Sequence, residues 1–90
     1  MTIERWRTIP KREQLLHIGA EFERARVAEE AHDPGRVRFM LERALALIDF
    51  TLDDPKWRGE TRMLLGLREE AAKSYIGESK STVGRLYQLL

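Results

Sequence analysis

Residues 37–52, Val-Arg-Phe-Met-Leu-Glu-Arg-Ala-Leu-Ala-Leu-Ile-Asp-Phe-Thr-Leu, decide the fold. At about 100° per residue, Val37, Leu41, Ala44, Leu45, Ile48 and Leu52 gather on one side of a helix, the spacing of a face that packs against other helices. Phe39, Ala46 and Phe50 fall about 170° from the centre of that face, on the side that meets water in an isolated three-helix bundle. Arg38, Glu42, Asp49 and Asp53 make only a narrow polar stripe between the two apolar regions. The segment therefore reads as a helix covered nearly all round.

Punctuation flanks this helix on both sides. His32-Asp33-Pro34-Gly35 stops a preceding helix, and Asp33 with Pro34 provides a cap and a first-turn proline for the helix over 35–53. Thr8-Ile9-Pro10 offers a similar opening for a helix over 10–32. Asp53-Asp54-Pro55 repeats the device ahead of a helix over 55–76, which Gly77 closes. Beyond the polar turn Glu78-Ser79-Lys80-Ser81, a last helix is expected over 81–90. Loops this short force sequential helices to run antiparallel. The expectation is a single all-α domain over 1–90, an up-down-up three-helix bundle with a short fourth C-terminal helix.

The other helices carry their own apolar faces. In the first, Leu15, Ile18, Phe22 and Ala25 form one stripe, and Leu16, Ala20, Val27 and Ala31 form a second roughly 140° to 180° round. The third presents Trp57, Leu64, Leu65, Leu67, Ala71, Ala72, Tyr75 and Ile76, and the tail adds Val83, Leu86, Tyr87 and Leu90. A tail of about ten residues reaches only some 15 Å, too short to cover the surplus faces of both earlier helices. Association into a larger helical bundle is therefore expected, through Phe39, Ala46, Phe50, Leu16, Ala20 and Val27, which makes the chain a homo-oligomer and an interaction or adaptor module open to a protein partner.

Composition narrows the function further. Sixteen basic and fifteen acidic side chains leave a net charge of +1, so no global field draws the chain to nucleic acid or an anionic membrane. Cysteine is absent, which removes thiolate chemistry and cysteine-held metals. The opening residues lack the apolar core of a secretory signal, and no run approaches the roughly 18 apolar residues of a membrane span. A cytoplasmic location is expected. No phosphate-binding glycine loop, nucleophile elbow or His-Glu-x-x-His motif is present, so no cofactor, catalytic residue or metal ligand is assigned.

Local clusters still admit other chemistry. Arg5, Trp6, Arg7, Lys11 and Arg12 are expected to lie near Lys56, Trp57, Arg58 and Arg62, a combination able to clamp phosphates and stack a base of RNA or single-stranded DNA. Acids at the same end, Glu4, Glu13, Asp49, Asp53, Asp54 and Glu60, dilute its field. Glu29-x-x-His32 has the spacing of half a carboxylate-bridged di-iron site, although no second Glu-x-x-His exists, and His32 also suits a helix end. Arg68 lies among apolar neighbours and needs a carboxylate, for which Glu29 and Glu42 are candidates, or a route for its head to the bundle edge.

Arg12-x4-His17 and Arg26-x5-His32 resemble the Arg-x4-6-His signature of the HEPN helical-bundle ribonucleases. That resemblance implies an RNA-cleaving site built at a dimer interface. In that family the motif lies in the later helices, whereas both matches here fall in the first.

Overall fold

The computed structural model describes residues 1–77. Four α-helices follow in order, α1 (Ile3–Arg7), α2 (Lys11–Glu30), α3 (Pro34–Leu52) and α4 (Thr61–Tyr75), with one 3-10 turn at Pro55–Trp57 between α3 and α4. Among the described residues there is no strand. The helix expected over 81–90 lies outside them.

Local chemistry accounts for the boundaries, and two differ from expectation. Thr8 does not cap α2. It closes α1, a helix the sequence reading overlooked, and its hydroxyl donates to the Arg5 carbonyl at 2.7 Å. Thr2 opens α1 by accepting the Arg5 N–H at 3.2 Å, and Pro10 precedes α2 with no side-chain cap. The helix expected over 55–76 is broken. Gly59 adopts φ +91°, which an L side chain rarely takes, and the chain resumes a helix only at Thr61. The break lets Trp57 turn inward, where it is 3% exposed.

The α2–α3 turn follows its punctuation closely. Asp33 Oδ1 accepts the Arg36 N–H at 3.1 Å, and Pro34 occupies the first turn of α3. At the end of α2, the Asp33 N–H donates to the Ala28 carbonyl and the His32 N–H to the Glu29 carbonyl, both at 3.0 Å. This crossed pair is a Schellman ending, and it requires a left-handed residue at His32, which has φ +56°.

α3 is the central element among the described residues, with α2, α4, α1 and the 3-10 turn packed on it. Glu21 meets Arg43 while Gln14 meets Asp54, so α2 and α3 run antiparallel. Asp49 meets Arg68 while Glu42 meets Tyr75, so α3 and α4 do likewise. Ile18, Phe22, Ala25, Leu41, Ala44, Ile48, Leu67 and Ala71 form the core, as their periodicity predicts.

Four core and face assignments need correction. Leu65 and Ile76 are 55% and 62% exposed, because α4 packs chiefly on α3 and so needs only the narrower face of Leu64, Leu67 and Ala71. Phe50 is half-buried against the core instead of projecting outward. The inner stripe of α2 ends on buried Ala28, which leaves Glu29 exposed.

Candidate functional site

Two regions carry the side chains that the sequence singled out. The first is the end of the bundle where α1, the start of α2 and the end of α3 meet. Trp6 is completely buried there, and its indole N–H donates to Thr51 Oγ1 at 3.0 Å. Thr51 Oγ1 in turn donates to the Leu47 carbonyl one turn back, at 2.7 Å. Gln14, also fully buried, uses every donor and acceptor of its amide. Its Nε2 donates to the Trp6 carbonyl at 3.0 Å and to Asp54 Oδ2 at 2.9 Å, and its Oε1 accepts the Trp57 indole N–H at 2.7 Å. α1, α2, the 3-10 turn and the linker that follows α3 are thus joined through one buried amide.

This arrangement changes the meaning of the basic and aromatic clamp. The chain does bring Arg5, Trp6, Arg7, Lys11 and Arg12 to the same end as Lys56, Arg58 and Arg62, but neither indole is exposed to stack on a base. Several of the cations are also engaged. Arg7 donates to Asp53 Oδ2 at 2.8 Å, Lys56 to Asp54 Oδ2 at 2.8 Å and to the Arg7 carbonyl at 2.7 Å, and Lys11 pairs with Glu60 while lying over the Trp57 ring. Arg5, Arg12, Arg58 and Arg62 are exposed.

Asp54 gives this end a pH dependence. Burial alone would push its carboxyl up. The hydrogen bonds from the Lys56 ammonium, the Gln14 amide and the Lys56 backbone N–H, with the Lys56 charge, outweigh burial and hold the carboxyl below its ordinary value of 3.8. A carboxyl depressed on folding stabilises the native state fully above the unfolded value, and that contribution drains away as pH falls through the folded one. Urea midpoints should therefore decline as pH falls below the ordinary carboxylate value, and Asp54→Asn should flatten part of that decline. An unchanged acid slope in Asp54→Asn would count against this role.

The second region is the outer surface of the α2–α3 pair. Leu16 is 63%, Val27 52% and Phe39 51% exposed, with Ala20 and Ala46 on the same outward sides of their helices. Between α2 and α3 runs a groove of about 370 Å³, lined by Ala20, Arg24, Arg36, Phe39, Met40, Arg43, His17 and Glu21. Glu21 forms its floor at 5% exposure. It accepts from Arg24 Nη1 at 3.0 Å and from Arg43 Nε at 3.1 Å. The Arg43 guanidinium also lies 5.9 Å from the centre of the Phe39 ring.

The remaining candidates are placed more simply. Arg68 pairs with Asp49, Nε to Oδ1 at 2.6 Å, with both side chains near half exposure, so neither Glu29 nor Glu42 is its partner. Glu42 instead accepts the Tyr75 hydroxyl at 2.6 Å, a bond that raises the tyrosine's pKa. Glu29 and His32 line a shallow cleft with Asp33, Arg38, Ser74 and Tyr75. Among the described residues, no three His, Asp or Glu side chains are grouped as a metal ion would need.

Neither Arg–His pair is assembled within the chain. Arg12 and His17 stand about 140° apart round α2, and His17 meets the edge of the Trp6 ring at 5.8 Å. Arg26 is bound to Glu23 and Glu30, both at 2.6 Å, and the Glu23 bond is the main cause of its raised pKa.

Gln14, Thr51 and Asp54 escaped the sequence reading as network members. A signal existed for the first: Gln14 lies one turn before Ile18 on the buried stripe, a polar residue on an apolar face. No described helix is long and apolar enough to cross a membrane. The fold and these regions define an all-helical bundle domain. No family model matches the chain, and no curated protein or solved structure is significantly similar to it.

Proposed function

We propose that this domain is a small cytoplasmic interaction module that self-associates through the outer surface of α2 and α3 and serves as an adaptor or accessory subunit. The observation that supports this reading is the exposure of the large apolar side chains of Leu16, Val27 and Phe39. Large apolar side chains gathered on a surface favour an interface. Covering each of these half-exposed groups contributes about 1 kcal/mol or a little more to association. The small side chains of Ala20 on α2 and Ala46 on α3 allow helices of a second copy to approach closely.

Wild-type protein should show a mass above that of one chain in light scattering or sedimentation at high micromolar concentration. Leu16→Lys combined with Phe39→Lys should give a single-chain mass with an unchanged helical circular dichroism spectrum, since neither residue belongs to the core. A wild-type protein that is already a monomer at that concentration overturns the reading.

A further inference from the structure

We infer that the groove between α2 and α3 is a binding site for single-stranded nucleic acid, with phosphates held by Arg24, Arg36 and Arg43 and a base resting on Phe39. The chemistry follows from what the groove residues have left to offer. Glu21 is one carboxylate shared by two guanidinium groups, so it neutralises only one of them. Arg24 spends a single Nη1 donor on it, and Arg43 spends Nε and, at 3.4 Å, Nη2. Their side chains are still 55% and 56% exposed, so further N–H groups face solvent. The Arg36 guanidinium has no ion-pair partner among the described residues.

Glu21 thus orients two arginines from beneath and leaves their outer donors, together with all of Arg36, directed at whatever enters. Planar arginine forks match phosphate oxygens bidentately, and this is the surface feature that a phosphodiester requires. Phe39 supplies the second requirement. Its ring is half exposed on the rim, beside Arg43, where a base can stack without sequence preference. His17 lines the same groove and contributes a further donor. Two copies apposed groove to groove would set six arginines against each other, which argues against a second chain as the occupant of the groove itself.

The site differs from the clamp expected at the other end of the bundle, whose indoles are buried. Arg36→Gln tests it apart from self-association, because that change leaves Leu16, Val27 and Phe39 intact.

The test is fluorescence polarisation of a labelled mixed-sequence single-stranded RNA of about ten nucleotides at low salt, against the full chain, with light scattering on the same samples. Wild-type protein should bind, with a log–log salt slope near −2 for about three phosphate contacts. Arg36→Gln should weaken binding about tenfold while leaving the mass unchanged, and Phe39→Leu should weaken binding by a similar factor. Arg38→Gln, an equal charge change on the α4-facing side of α3, should bind as wild type does. The proposal is overturned by absence of binding, by equal loss in Arg38→Gln, or by loss in Arg58→Gln with Arg62→Gln but none in Arg36→Gln. Competition by poly-glutamate as effective as that by unlabelled RNA would also overturn it, by assigning the groove to acidic peptides.

Discussion

Trp6→Ala should lower the unfolding free energy by about 3–5 kcal/mol in urea denaturation, the range for removing a fully buried large aromatic. The ring is completely buried and belongs to the core cluster, so its loss leaves a cavity that the backbone of a five-residue helix is poorly placed to refill. It also removes the indole donor to Thr51. Since domains of this size have only about 5–15 kcal/mol in total, the variant should be close to half-unfolded under mild denaturant. Trp6→Phe separates the two contributions: it retains most of the packing and loses the N–H. A Trp6→Ala protein with a urea midpoint within error of wild type would mean that α1 does not belong to the cooperative unit.

Gln14→Leu should cost about 1–3 kcal/mol although it replaces a polar residue by an apolar one of similar size at a site with no exposure. The reason is what it abandons. The Trp57 indole N–H loses its partner, which costs about 1–3 kcal/mol for a buried group, while the Trp6 carbonyl keeps the Ile9 N–H and Asp54 keeps Lys56. Gln14→Glu is the sharper comparison. At neutral pH its carboxylate still accepts from Trp57, but it faces the Trp6 carbonyl and the Asp54 carboxylate with no N–H to offer. This variant should be less stable than Gln14→Leu at pH 7 and should recover part of the difference in mild acid, where the new carboxyl is protonated. Equal stability of all three proteins across pH would remove the amide from its central position.

Much of the architecture was legible in the sequence because helical periodicity is a local property. Val37, Leu41, Ala44, Leu45, Ile48 and Leu52 share a face whatever they pack against, and Asp33 caps a helix through an N–H only three residues away. The outward placement of Leu16, Val27 and Phe39 was legible for the same reason. α1 was missed because its five residues are too few to show a period, and it is secured by Trp6 reaching Thr51 across 45 positions of chain. The break at Gly59 was missed because the α-helical pattern continues on either side of it; what decides it is the indole of Trp57 finding Gln14.

By itself, then, the sequence determined the two long helices α2 and α3, the presence of a helix after them and most of their inner sides, since caps, prolines and the 3.6-residue repeat act within a few residues. Only the tertiary structure decided what those sides meet. Burial turned the two tryptophans from surface candidates into anchors of the bundle, and the antiparallel register of α2 against α3 placed Arg24 beside Arg43 over a single buried carboxylate. Both outcomes depend on distances between residues far apart in the chain, which no local pattern specifies.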